Sequence, residues 1–198
     1  MNARAYIVAG AGSNYASLIE ACRRVGVDAG IGDDPARIAA ATHVIVPGVG
    51  AADHAMRNLR RQGLDRVLRK VTQPLLGICL GMQILFEYSD EGDADGLGLL
   101  RGDVRRLPAA PSWPHMGWNT LARRAGAHPL LDGIGEDDWF YFVHGYAAPC
   151  DDATLAETHH GGAIAAVVAR ANIHGVQFHP EKSAAAGRRL LANFFALT

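Results

Sequence analysis

Cys79 stands between two glycines at the end of an apolar run, in Pro74-Leu75-Leu76-Gly77-Ile78-Cys79-Leu80-Gly81. A strand that turns sharply into a helix at Cys79 would lift its sulfur clear, as a GxSxG elbow presents its serine. Glycines on both sides relieve crowding at such a bend. A helix N-terminus beside sulfur favours thiolate, and the Leu80 amide can point at an oxyanion forming next to it. A buried core cysteine fits the same pentapeptide, because free cysteine is among the most buried residue types. A base has to decide between the two.

Nine histidines compete for that role. His179 is the best placed: in Gly175-Val176-Gln177-Phe178-His179-Pro180-Glu181-Lys182-Ser183 it ends an apolar strand, where open α/β sheets gather their sites. Pro180 is expected to hold the link extended, so Glu181, two residues on, points the same way as His179. Its carboxylate can then fix one imidazole nitrogen while the other faces sulfur. His174 would face away on a regular strand. His144 and His115 are expected as pocket wall or packing residues. His159 and His160 point to opposite sides of an extended segment without further ligands nearby, which suggests a solvated turn or strand rather than a metal site.

Pro47-Gly48-Val49-Gly50 follows another strand and supplies amides that can turn toward a carbonyl oxygen, with Val49 the candidate second oxyanion donor. Gly10 and Gly12 invite a dinucleotide-binding reading, but Tyr15 stands where a third glycine belongs, so no nicotinamide cofactor is expected.

These residues need a scaffold that brings strand ends together. Short β-branched runs at 4–10 and 42–50 and the run ending at Cys79 alternate with helical patterns at 14–25, 52–70 and from Leu80. That βαβ rhythm implies a parallel sheet covered on both faces. After residue 96 strands dominate, and a helix over 185–196 closes the chain. The acidic 90–96 segment suggests a solvated surface loop. At 198 residues one domain spanning 1–198 is expected. A formal charge of −1, with 49% hydrophobic and 20% charged residues, argues against a nucleic-acid partner and against disorder. Cys22, Cys79 and Cys150 are an odd set without CxxC spacing, which argues against disulfides and zinc knuckles and for a reducing, cytoplasmic location. No stretch is apolar enough to be a membrane span or a signal-peptide core.

Taken together, GICLGMQ (77–83), PGVG (47–50) and GVQFHPEKS (175–183), in this order and spacing, resemble the class I, triad-type glutamine amidotransferases. PHMGWN (114–119), YFVHGY (141–146) and GLGLLRGDV (96–104) are more narrowly similar to the glutaminase subunits of imidazole glycerol phosphate synthases. The resemblance implies a three-layer, flavodoxin-like fold with an open, mostly parallel sheet, and a Cys79, His179, Glu181 triad. It implies Val49 and Leu80 amides at the oxyanion hole, and L-glutamine held by Gly50, Gln83 and backbone near Gly145. It also implies no cofactor and no metal, and a heterodimer with a (β/α)8-barrel cyclase subunit contacted by Asn14, Trp118, Tyr141 and Lys182. The implied activity is glutamine hydrolysis through a cysteine thioester, with ammonia passed on for histidine biosynthesis. A paralogous amidotransferase serving another acceptor enzyme is the alternative. Two positions depart from the pattern: the opening aspartate and second glycine are missing from VAGAGSN (8–14), and Gly145 replaces a small polar residue.

Overall fold

The computed structural model describes residues 4–10, 14–109, 112–124 and 126–198. Gly12, in the loop weighed for dinucleotide binding, lies outside them. The first half alternates strands and helices: β1 (Ala5–Val8), α1 (Tyr15–Arg24), β2 (Ala29–Gly32), α2 (Pro35–Ala40), β3 (His43–Gly48), α3 (Ala52–Arg61), α4 (Leu64–Leu68), β4 (Leu75–Cys79) and α5 (Leu80–Gln83). Short strands follow: β5 (Tyr88–Ser89), β6 (Ala94–Asp95), β7 (Asp103–Arg106), β8 (His115–Asn119), β9 (Ala122–Arg123), β10 (Phe140–His144) and β11 (Tyr146–Ala147). The chain ends in β12 (Thr154–His159), β13 (Ala163–Arg170), β14 (Ile173–Val176) and α6 (Ala184–Ala196).

Eight strands form the central sheet in the order β2-β1-β3-β4-β14-β13-β12-β9. The β2 to β14 portion is parallel, and the β13, β12 and β9 additions are antiparallel. Alternation along the strands feeds two cores. Val44 and Val46 join Ile38, Met56, Leu59, Leu64 and Leu68 on one face. Ile45, Ile78, Val176 and Phe178 join Leu18, Cys22, Leu190, Leu191 and Phe194 on the other. Each such side chain contributes about 1.5–3 kcal/mol by leaving water, so both faces hold the sheet in a three-layer α/β arrangement.

The sequence pattern needs amending in three places. The helical stretch expected over 52–70 is two helices, because Gly63 adopts a left-handed φ of +69° between α3 and α4. The helix opening at Leu80 runs only four residues. The acidic 90–96 segment is not simply a solvated loop: Ala94 and Gly96 are buried, β6 pairs with β5, and Asp90 is bridged to Arg105. The register matters for function. Gly48 pairs with Cys79 across β3 and β4, and Val176 pairs with Ile78 across β14 and β4. The Val49–Gly50 loop, Cys79 and the Gln177–His179 segment therefore leave neighbouring strands at the same edge.

Candidate active site

β4 runs into α5 with Cys79 as the hinge, at φ +54° and ψ −113°. A non-glycine residue in such a conformation costs about 1–3 kcal/mol, a cost the surrounding packing has to carry. The flanking glycines make the bend sterically feasible. A Cβ on Gly81 would stand 1.7 Å from the Val46 carbonyl oxygen, and one on Gly77 would stand 2.6 Å from the Gly81 oxygen. Any side chain at Gly81 would force α5 off β3 and carry Cys79 with it. Cys79 is 6% exposed and opens onto a cavity of about 270 Å³ that His179 also lines.

His179 Nδ1 lies 2.8 Å from Glu181 Oε1. The link is not extended as expected: Pro180–Lys182 form a 3-10 turn that swings the carboxylate back, with the Lys182 N–H donating to the His179 carbonyl. The segment is clamped to β10, since the His179 N–H donates to the Tyr141 carbonyl at 2.9 Å. Ser183 Oγ completes the clamp by donating to the His179 carbonyl and accepting from the Tyr141 N–H. Burial alone would lower the His179 pKa, but Cys79 and Glu181 outweigh it and raise it to about 10. Its Nε2 is buried with no hydrogen-bond partner among the described residues, and the ring belongs to the cavity wall. A sulfur nucleophile, an imidazole and a bracing carboxylate so arranged can perform acyl transfer.

Val49, Gly50, Leu80, Gln83 and Gly145 line the same cavity. Gln83 is buried and its Nε2 donates to the Tyr146 carbonyl at 2.7 Å. Gly145 lies under the Trp113 indole, whose Nε1–H donates to the Gly145 carbonyl at 3.0 Å. A larger groove of about 580 Å³ beside Arg101 and Arg170 has no cysteine or histidine in its lining, so the chemistry belongs to the smaller cavity.

The family model for glutamine amidotransferase class-I matches residues 12–197. The chain belongs to the class-I glutamine amidotransferases. It is 50% identical over 189 residues to the imidazole glycerol phosphate synthase subunit HisH of Xanthomonas axonopodis pv. citri (strain 306), covering 94% of each chain. It is 48% identical over 188 residues to the HisH subunit of Xylella fastidiosa (strain Temecula1 / ATCC 700964), again covering 94% of each. Among solved structures, one described as a glutamine amidotransferase aligns with TM-score 0.75 at 21% identity over 96% of both chains. PurLQS from Thermotoga maritima aligns with TM-score 0.73 at 20% identity over 98% of both. These two likenesses establish the fold.

Within this amidotransferase, the remaining expected site residues fall in two groups. Trp118, Tyr141 and Lys182 form one surface cluster in which Tyr141 is half-buried. Trp118 is 50% exposed and meets Tyr141 edge-on at 5.9 Å, and Lys182 Nζ sits 5.6 Å over the Tyr141 ring. Asn14 has a local task as N-cap of α1, its Oδ1 accepting from the Ser17 N–H.

The other histidines sort by burial. His174 packs against Phe194 and His128, outside the cavity lining. His159 is exposed, but His160 is buried, stacked on His115 at 4.1 Å, with its Nε2 2.8 Å from the Ser112 carbonyl. Of the expected solvated turn or strand at 159–160, His159 is the exposed end of β12, whereas His160 is buried because the fold closes 112–115 over it. Cys22 is no rival nucleophile, since burial pushes its thiol up to about 12. Among the described residues no three His, Cys, Asp or Glu side chains are grouped to hold a metal ion.

Glu91 is a cavity residue that sequence reasoning missed. It lines the site beside Gln83, accepts from the Ala52 N–H, and its carboxyl is raised by burial. Its only signal was one carboxylate inside an acidic run, which resembles solvated surface until β5 and β6 fold it over α3.

Proposed function

We propose that this chain is the glutaminase subunit of an imidazole glycerol phosphate synthase. It hydrolyses L-glutamine to glutamate and ammonia and passes the ammonia to a cyclase subunit, a (β/α)8 barrel, for histidine biosynthesis in the cytoplasm. The observation that carries the reading is the pairing of near-50% identity to HisH subunits along 94% of the chain with Cys79 and a Glu181-braced His179 on one cavity. A different acceptor enzyme is not favoured by those relatives.

Cys79 thiolate attacks the side-chain amide carbon of glutamine. As the C–S bond forms, the carbonyl oxygen gains negative charge and accepts hydrogen bonds from the Val49 and Leu80 N–H groups. His179 Nε2 gives its proton to the departing nitrogen, the C–N bond breaks, and ammonia leaves a γ-glutamyl thioester behind. His179, now neutral, takes a proton from water, whose oxygen attacks the thioester and releases glutamate and Cys79. A raised imidazole suits the first half of this cycle, because it is charged and able to donate at neutral pH. Gln83, Gly50 and the Gly145 backbone hold the glutamine, and Glu91 faces its ammonium group. The Trp118, Tyr141 and Lys182 cluster, with Asn14, meets the cyclase.

The test is glutamine turnover by the purified chain, alone and with a cyclase subunit and its nucleotide ligand. Turnover that rises with the cyclase, and labelling of Cys79 by an electrophilic glutamine analogue, are the expected results. Labelling at another residue would sink the site assignment, and indifference to the cyclase would sink the partner.

A further inference from the structure

Behind the cavity lies a chain of buried polar groups whose hydrogen-bond direction is set by one backbone carbonyl. The Tyr146 carbonyl can only accept. Gln83 Nε2 stands 2.7 Å from it and His144 Nδ1 stands 2.8 Å from it, so both nitrogens carry protons there. With its nitrogen end so fixed, Gln83 also donates to Gln177 Oε1 at 3.0 Å. That contact orients the Gln177 amide in turn: its oxygen faces Gln83 and its Nε2 faces Cys79, 3.8 Å from the sulfur.

The His144 branch braces the same carbonyl. With its proton on Nδ1, neutral His144 accepts at Nε2 from His115 Nδ1 at 3.0 Å, and His115 Nε2 in turn accepts from Asn119 Nδ2 at 3.4 Å. The chain requires both rings to be neutral. Burial supplies that condition, lowering His144 to about 3 and His115 to about 4.

Gln177 is fully buried and is not among the cavity-lining residues, so it meets sulfur from behind while the opening faces the front. The Val143 carbonyl also lies 3.8 Å from the sulfur, an acceptor that suits the protonated thiol. A fixed N–H on the opposite side suits the thiolate. We infer that Gln177 is a catalytic residue: its amide N–H, aimed by Gln83 and the Tyr146 carbonyl, donates to Cys79 sulfur when it attacks and again when it leaves the thioester. The inference rests on the glutaminase reading for the reaction it serves. Because nucleophilicity falls as thiolate is stabilised, a tenfold gain in thiolate yields only about a threefold to fourfold gain in rate.

Two variants test this. Gln177→Glu keeps the shape and the acceptor for Gln83 but turns a carboxylate oxygen toward sulfur, whereas Gln177→Leu removes the donor without adding charge. The first measurement is alkylation of Cys79 by chloroacetamide at pH 7.5, located by mass spectrometry. The second is kcat and KM for glutamine in the complex with the cyclase, and thermal melts establish that each variant is folded. The expected result is an alkylation rate down about threefold to fourfold in Gln177→Leu and more than tenfold in Gln177→Glu, with kcat falling and KM within twofold. Unchanged alkylation in folded Gln177→Glu, or a loss confined to KM, would overturn the assignment. Where Gln177→Glu does not fold, Gln177→Leu decides by the same criteria. Absence of glutamine turnover by the unmutated complex would instead refute the glutaminase reading, and the alkylation comparison would still judge the contact between Gln177 and sulfur.

Discussion

Glu181 Oε1 stands 2.8 Å from His179 Nδ1, and the two side chains are only 4% and 6% exposed. A carboxylate held there fixes the ring tautomer, leaves Nε2 for proton transfer and favours the charged imidazolium. Because the folded pKa of His179 lies above the ordinary 6.5, its contribution to stability is fully present below about pH 6.5 and is lost as pH rises through about 10. Glu181→Gln removes part of that bias. Its thioester formation should slow by one to two orders of magnitude, and the alkaline limb of its kcat profile should move to lower pH. Its stability should also fall less between pH 6.5 and 10 than that of the unmutated chain. Single-turnover kinetics and urea titrations across that range check all three, and a superimposable profile would remove the orienting role.

Cys79→Ala separates ammonia production from ammonia use. In the complex, glutamine-dependent synthesis should fall to background while synthesis from added ammonium salt persists, because only the source of nitrogen is lost. Alanine keeps the Cβ and so meets the same backbone restriction at φ +54°, which leaves that strain in place. The variant should therefore melt within a few degrees of the parent. Retained glutamine-dependent synthesis would contradict the nucleophile assignment.

Acid should destabilise the fold well before the carboxylates titrate. His115, His144 and His174 are buried and neutral, lowered by burial to about 4, 3 and 4. Between pH 6.5 and those values the unfolded chain binds protons that the folded chain refuses, so stability declines as pH falls. A few kcal/mol should be lost between pH 7 and pH 5. His144→Asn, which keeps a donor near the Tyr146 carbonyl but cannot titrate, should flatten that decline by about 2 kcal/mol, leaving the shares of the other histidines lowered by burial, His43 and His128 among them. Urea unfolding at the two pH values measures it.

That Cys79 and His179 share one sheet edge was legible because strongly apolar runs precede both: Cys79 ends β4, and His179 follows β14 by three residues. The parallel half of the sheet followed from the same runs. What escaped was set by tertiary context. β2 (Ala29–Gly32) carries two glycines and pairs only with β1, so it lacks an apolar signature of its own. The six-residue α2 was announced only by Asp34 and Pro35, a cap and first-turn proline too brief to register as periodicity. Glu91 and Gln177 are polar residues whose partners lie 39 and 98 positions away, at Ala52 and Cys79. No local spacing encodes such pairs. His160 likewise became buried through a stack with His115, 45 residues earlier in the chain.

The aromatic cluster on the outer surface should carry much of the affinity for the cyclase. Trp118 and Met116 lie on β8 with half or more of their surface exposed, and Tyr141 and Lys182 extend the patch across β10 and the 3-10 turn. A large ring already braced by a neighbour loses little freedom on docking, which is why tryptophan dominates binding energy where it is enclosed. Truncating it should cost about 2 kcal/mol or more, so Trp118→Ala should raise the dissociation constant for the cyclase roughly thirtyfold. Trp118→Phe should recover most of that loss by restoring the edge contact to Tyr141. Ile31→Ala, on the edge strand β2 of the central sheet, is the control for loss of exposed apolar surface elsewhere and should leave affinity within twofold. Calorimetric titration of each variant with the cyclase gives the numbers, and equal affinity for Trp118→Ala and the parent would move the interface to another face.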